Sequence, residues 1–276
     1  MTVPARSAPD PAGDPVPRGP ADGSGTFTKR RIGAPDGFFA VEAAGLRWLA
    51  EADGARVVLP LAVEPERLVL PRIPEVAPSA AAATGFGADL ARTHAAGAPA
   101  FGAPPAGWTG DGYIGPLRLP HRPGSEWGAW YAEFRVLPYL RSARDSGAID
   151  VEDATTIGRV LDLIADPALG RAGPVERPAR LHGDLWNGNV LWTRDGVVLI
   201  DPAAHGGHRE TDLAMLVLFG LPHLDEVLAG YDASHPLADG WGERLGLHQL
   251  HPLLVHATLF GGGYGRQAGA VARRYA

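Results

Sequence analysis

The sequence predicts an α+β protein in two unequal lobes, a small strand-containing N-terminal unit followed by a larger, mostly helical C-terminal one. Two observations carry this prediction. Short β-like apolar runs cluster before residue 75, whereas beyond residue 76 apolar residues recur mainly at helical spacing. The helical part is interrupted once by paired apolar runs around Asp195-Gly196, a dipeptide that favours a tight hairpin turn.

Residues 1–25 are rich in Pro, Gly, Ala and Asp without apolar periodicity, and read as a disordered or atypical N-terminal segment. Thr26 to Arg31 reads as a strand ending in Lys29-Arg30-Arg31. From Gly37 to Ala52 the period is helical, with Phe38, Val41, Gly45, Leu46 and Leu49 on one side. Val57 to Leu61 and Leu68 to Leu70 are β-like, so residues 26–75 form the small lobe. The larger lobe, residues 76–276, starts with a helix over Ala80 to His94. Pro99 to Pro123, dense in Gly and Pro, reads as a long loop of the kind that is usually functional. Further helices are expected from Ser125 toward Leu140 and over Val151 to Ala165, Thr211 to Phe219, Leu224 to Ala229 and Trp241 to Phe260. The aromatics Trp127, Trp130, Tyr131 and Phe134 fall at helical spacing and read as core.

Composition narrows the functional classes. The chain has 276 residues, a formal net charge of −6 with scattered basic residues, and no cysteine. Nucleic acid is therefore not expected as the main partner, because binding phosphate backbones calls for a basic face. Disulfides and thiolate metal sites are excluded. No apolar run approaches the roughly 20 residues of a membrane span, and no apolar signal-peptide core stands at the N-terminus. A cytoplasmic protein without a membrane partner is the expectation.

One stretch carries the chemistry: His182-Gly183-Asp184-Leu185-Trp186-Asn187-Gly188-Asn189, followed one hairpin later by Leu199-Ile200-Asp201-Pro202. Phosphoryl transfer requires positioning and charge stabilisation more than covalent chemistry. Asp184 can accept the proton of an acceptor hydroxyl, while Asn189 and Asp201 can hold Mg2+ against the phosphates of ATP. A lone Asp-x-x-x-x-Asn is commonly a solvated loop. The second Asp at the end of the hairpin favours catalysis. Lys29, at the end of a strand, and Glu42, inside the following helix, can form a pair that anchors the ATP phosphates. In Gly206-Gly207-His208-Arg209-Glu210-Thr211-Asp212, His208 or Glu210 could face substrate, whereas Asp212 reads as a brace that accepts backbone N–H groups. Gly261-Gly262-Gly263-Tyr264-Gly265 follows a helix and reads as its terminus rather than a phosphate loop. His248, His251 and His256 match no zinc-binding pattern.

His182 to Asn189 resembles the catalytic loop of the fructosamine kinase (ketosamine-3-kinase) family, whose fold is shared with aminoglycoside phosphotransferases and protein kinases. The similarity extends to Phe39-Ala40-Val41-Glu42-Ala43-Ala44-Gly45-Leu46, Asp111-Gly112-Tyr113-Ile114-Gly115-Pro116-Leu117, and Trp130 to Arg141. It continues through Gly207-His208-Arg209-Glu210 and Leu259-Phe260-Gly261-Gly262-Gly263-Tyr264, covering roughly residues 26–270. The resemblance implies a bilobal kinase-like fold and ATP-dependent phosphorylation of the sugar 3-hydroxyl of ketosamines. The acceptor would be a glycated amine or glycated protein, and the unstable product would release the amine. It further implies Asp184 as base, Asn189 and Asp201 as magnesium ligands, Lys29 with Glu42 as phosphate anchors, and Leu70, Arg72 and Ile73 beside adenine. Trp186 could contact the sugar.

Two alternatives remain open on the residues. One is a kinase for another small alcohol of the aminoglycoside, choline or homoserine type. The other is a nucleotide-binding pseudoenzyme, because residues 1–25 supply no convincing glycine-rich hairpin. Only Ala21 to Lys29 reads as that hairpin's second strand together with the lysine strand.

Overall fold

The computed structural model describes residues 25–276; the expectations for the segment before them lie outside the described residues. The chain begins with β1 (Thr26–Arg30), α1 (Phe38–Ala50), β2 (Arg56–Val57), β3 (Ala62–Glu64) and β4 (Arg67–Pro71). β4 is central in an antiparallel sheet of order β1-β4-β3, with Lys29 opposite Leu68 and Phe27 opposite Leu70. Strand alternation settles the Lys-Arg-Arg register, since Lys29 is buried and Arg30 exposed. The helical period of α1 turns Phe39, Ala43 and Leu46 onto Leu68 and Leu70. Burial of each large side chain there contributes about 1.5–3 kcal/mol.

The remaining elements are mostly helical. They are α2 (Ala80–Ala95), β5 (Gly112–Ile114), β6 (Leu117–Leu119), α3 (Trp127–Tyr131), α4 (Leu137–Asp145) and α5 (Val151–Ala165). After them come β7 (Ala179–Leu181), β8 (Val190–Thr193), β9 (Gly196–Leu199) and β10 (His205–Gly207). The chain ends with α6 (Glu210–Phe219), α7 (Leu224–Ser234), α8 (Trp241–Phe260) and α9 (Tyr264–Ala272). Ser79 and Asp150 cap α2 and α5, each side chain accepting a backbone N–H three residues on. No helix among the described residues is long and apolar enough to cross a membrane.

Two prolines inside helices are accommodated by side chains that donate to the carbonyl each missing N–H leaves free. Between α3 and α4 the helix widens to a π turn over Ala132–Val136. Pro138 cannot bond the Phe134 carbonyl four residues back, and Arg135 Nη1 donates to it instead at 3.1 Å. Pro252 in α8 likewise frees the His248 carbonyl, which accepts the Tyr131 hydroxyl at 3.0 Å. Tyr131 and Trp127 thereby sit in the main C-terminal core, as their spacing suggests.

The two parts of the chain share a sheet. β2 pairs in parallel with β9, and β9 pairs antiparallel with β8. Val198 of β9 consequently packs into the same cluster as α1 and β4. The structure departs from the expected run Val57 to Leu61: only Val57 is in a strand, because Pro60 interrupts pairing and Leu61 is left exposed. The expected loop from Pro99 to Pro123 contains the β5–β6 hairpin, and α9 follows the Gly261 turn.

Candidate active site

The short strand β7 delivers the chain to Asp184. Between them Gly183 adopts φ 81°, and a Cβ there would lie 2.2 Å from the Ala203 carbonyl, so only glycine fits the turn. The His182 and Gly183 amides donate to Asp212 at 2.8 and 3.0 Å. Asp212, buried at the start of α6, therefore braces the loop. Burial opposes its charge, but a hydrogen bond from His94 and nearby His182 hold its carboxyl below the usual range. His182 Nε2 lies 2.9 Å from the Ile200 carbonyl, so this nitrogen carries the proton. Burial keeps the ring neutral by lowering its pKa.

Asn189 closes the loop. Its Nδ2 donates to the Asp184 carbonyl at 2.7 Å and to Asp184 Oδ2 at 3.2 Å. The Ile200 amide donates to the Asn189 carbonyl at 3.1 Å, at the base of the β8–β9 hairpin. That hairpin places Asp201 beside Asn189, with Asp201 in the left-handed region at φ 56°. From the N-terminal sheet, Lys29 Nζ meets Glu42 Oε1 at 2.6 Å and Asp201 Oδ1 at 2.7 Å. Burial works against the Lys29 charge, but Glu42 and then Asp201 outweigh it and raise its pKa. Asp184 responds oppositely: burial, reinforced by the neighbouring Asp201 charge, pushes its carboxyl up to about 7. Five expected residues, Lys29, Glu42, Asp184, Asn189 and Asp201, are thus brought to one cleft of about 630 Å³.

The cleft is walled by residues that the spacing of polar groups did not single out. Phe27, Phe38, Tyr113, Leu119 and His121 line it, and Trp186 lies among them. Phe38 and Tyr113 pack with ring centroids 5.0 Å apart, and Arg31 sits over the Phe38 ring at 4.5 Å. The signal for Tyr113 was present in Asp111-Gly112-Tyr113-Ile114-Gly115, which forms the hairpin at the cleft mouth.

Two sets of expected site residues lie elsewhere. His208 and Glu210, expected to face substrate, are both buried and do not line this cleft. Arg244 takes both Glu210 oxygens, and His248 Nε2 lies 3.2 Å from Oε2. Burial acts to raise the Glu210 carboxyl, yet the bonds from His248 and Arg244 hold it at about 2. Ligand atoms of His208, Glu210 and His248 fall within 4.8 Å of one another, a spacing that could suit a metal. The hydrogen bonds argue against one. The Glu210 amide occupies His208 Nδ1, and Thr211 lies 3.0 Å from His248 Nδ1. His208 Nε2 then carries the proton and offers no lone pair.

Leu70, Arg72 and Ile73, expected beside adenine, lie at the end of β4 and just after it, and none of them lines this cleft. Alternation along β4 turns Leu70 into the small core, against which Ile73 also packs. Arg72 is exposed, and its amide donates to the Gly25 carbonyl at 2.9 Å.

The fold and the cleft together define a protein-kinase-like phosphotransferase architecture, with a lysine from the small sheet, paired to a carboxylate from α1, set beside the Asp and Asn of the loop after β7. An aminoglycoside phosphotransferase shares this fold at a TM-score of 0.58 and 16% identity, over 90% of this chain and 84% of that one. The chain belongs to the fructosamine kinase family, whose family model matches residues 22–275. It is similar to a "putative fructosamine-3-kinase" from Thermobifida fusca of known structure, at 49% identity and a TM-score of 0.84, over 91% of this chain and 85% of that one. A "Probable ketoamine kinase" of Vibrio parahaemolyticus is 35% identical over 185 residues, 66% of this chain but only 59% of that relative's length.

Proposed function

We propose that the protein is an ATP-dependent kinase that phosphorylates the sugar 3-hydroxyl of ketosamines, glycated amines or glycated proteins, and so initiates deglycation. The observation that carries this reading is the polar chain Glu42–Lys29–Asp201 set beside Asp184–Asn189, with contacts of 2.6, 2.7 and 3.2 Å. It joins a phosphate anchor, a hard-oxygen pair and a candidate base in one cleft.

The residues fit a magnesium ion by their donor chemistry. Asn189 uses its amide N–H groups on Asp184, which turns its carbonyl oxygen to other use. Asp201 is partly exposed to the cleft and offers its second oxygen. Oxygen ligands of this kind suit Mg2+, which neutralises charge on the ATP phosphates when bound. Lys29, held by Glu42, orients the phosphates. The acceptor hydroxyl donates to the Asp184 carboxylate, which takes the proton as the oxygen attacks the γ-phosphorus of ATP and ADP departs. Trp186, Phe38 and Tyr113 offer flat apolar walls against which a sugar ring can lie, and they exclude water from the reacting atoms. The family membership supports the acceptor class.

The test is ATP turnover with Mg2+ on ribulose-lysine and fructose-lysine, alongside aminoglycoside, choline and homoserine acceptors. ADP release with a ketosamine and with none of the others is expected. Turnover confined to another acceptor would sink the substrate assignment, and nucleotide binding without turnover on any acceptor would favour the pseudoenzyme.

A further inference from the structure

A second cavity, of about 840 Å³, lies outside the catalytic cleft and shares no lining residue with it. It is bounded by Trp48 at the end of α1, the turn after α2, the segment leading into β7, and Arg209 with His235. Its volume falls within the range of small-molecule sites. Among its lining residues, Arg209 is neutralised by Glu176 through two contacts of 2.7 and 2.8 Å. Arg177 and Arg180 are in no ion pair among the described residues. Arg180 is fixed in place: its guanidinium lies 4.6 Å from the Trp48 ring centroid, and its Nη1 and Nε donate to the Trp48 and Gly97 carbonyls. This leaves Nη2 of a fixed guanidinium without a hydrogen bond to the described residues, and the exposed Arg177 lines the same cavity. A guanidinium so held matches an oxyanion. Burial lowers the Arg180 pKa, against the opposing charge of Glu51, so the guanidinium lacks full compensation.

The cavity also touches the brace of the catalytic loop. His94 lines it, with Nδ1 2.7 Å from the Tyr231 hydroxyl and Nε2 3.2 Å from Asp212 Oδ2. Arg209 in turn reaches the Tyr231 side chain. Hydrogen-bond directions are consistent from Tyr231 onward: Tyr231 donates to His94 Nδ1, and His94 Nε2 to Asp212, with the Arg209 charge acting on the Tyr231 hydroxyl. Asp212 then accepts the His182 and Gly183 amides.

We propose that this cavity is an effector site for a small oxyanion, bearing a phosphate or carboxylate group, which is held by Arg177 and Arg180. Its occupancy is transmitted to the catalytic loop through Arg209, Tyr231, His94 and Asp212. An anion there competes with Glu176 for Arg209 and so alters the charge that Arg209 presents to the Tyr231 hydroxyl. The two ends are linked by coupled binding free energies, and from Tyr231 to His182 and Gly183 the path is a set of specific hydrogen bonds.

The experiment titrates the full chain with inorganic phosphate and, separately, with citrate, without ATP or Mg2+. It reads Tm and amide hydrogen exchange at His182 and Gly183. A saturable rise in Tm is expected from at least one anion, and the one that acts distinguishes phosphate from carboxylate recognition. Its apparent affinity should fall about tenfold or more in Arg177→Ala and in Arg180→Ala, each of which removes a charge-assisted contact. It should be unchanged in Asp201→Asn, which alters only the catalytic cleft. Exchange at His182 and Gly183 should change on anion binding in the wild type, and stay constant in Tyr231→Phe although the anion still binds. No saturable response to either anion, or a response in both arginine variants equal to that of the wild type, overturns the site. A response kept in both arginine variants but changed in Asp201→Asn, which removes a negative charge beside Lys29, assigns the anion to the cleft and overturns it as well. Exchange that does not change in the wild type overturns the coupling. None of these readouts needs turnover, so a failed kinase assay leaves them interpretable.

Discussion

The ammonium of Lys29 lies 2.7 Å from Asp201 Oδ1, a contact between residues 172 positions apart that joins the small sheet to the end of the β8–β9 hairpin. Glu42 holds the same ammonium from α1 at 2.6 Å. Lys29→Met should therefore do more than remove a phosphate contact. It leaves the buried Glu42 and the neighbouring Asp201 facing each other without a cation. The expected outcome is a large rise in KM for ATP together with a fall in Tm, measured by initial rates and thermal denaturation. A Lys29→Met protein with unchanged KM for ATP would contradict the anchoring role.

Asp184→Asn keeps the shape of the side chain and loses its basicity. A positioned general base contributes about 10²–10⁴-fold to rate, and kcat should fall by roughly that factor. Nucleotide affinity should be nearly unchanged, because Lys29, Asn189 and Asp201 remain. Titration calorimetry with ATP, set beside the rate assay, separates the two effects.

The raised Asp184 pKa has consequences of opposite sign for rate and stability. As a base Asp184 must be ionised, so kcat/KM should rise with pH toward a plateau above about 7. Between the ordinary carboxylate pKa of 3.8 and about 7, the native state holds a proton that the unfolded chain has lost. The stabilising contribution of the protonated group is complete at the acid end of that window and is lost as pH rises through it. Asp184→Asn should remove this component, which denaturant melts at several pH values will show. An identical pH slope in both proteins would refute the assignment.

Glu210, buried with Arg244 and His248, is expected to serve the fold rather than the acceptor. Glu210→Gln should destabilise the fold by roughly 3–5 kcal/mol, since it strips the anionic partner from Arg244 next to His248. The KM for the acceptor, measured at a temperature where the variant remains folded, should be unaffected. A raised acceptor KM with unaltered Tm would restore Glu210 to the substrate-binding surface.

Gly183→Ala should be among the most damaging single-methyl changes in the chain. The left-handed backbone and the Ala203 carbonyl 2.2 Å from the added Cβ leave no room for relaxation. Loss of activity with a lowered Tm is expected, whereas Gly158→Ala, whose added Cβ meets nothing within 4 Å, should be neutral or slightly stabilising.

The Asp184, Asn189 and Asp201 spacing was legible because it is local: a tight loop and one hairpin carry all three into one place with little dependence on the rest of the fold. Helix and strand periods fixed the order of elements for the same reason. Other features depended on contacts far apart in the chain. The choice of Lys29 over Arg30 and Arg31 required the pairing of β1 with β4, which decides which side chain points inward. Glu210 and His208 share a motif with the loop in sequence, yet Arg244 and His248, supplied by α8, draw the carboxylate into the interior. The aromatic wall of Phe38 and Tyr113 joins α1 to a hairpin that read as a loop. By itself the sequence determined which polar groups were available and the local turns that present them. The tertiary structure decided which of those groups face the cleft and which are consumed by buried partners, because burial without a partner is so costly that distant charges select one another.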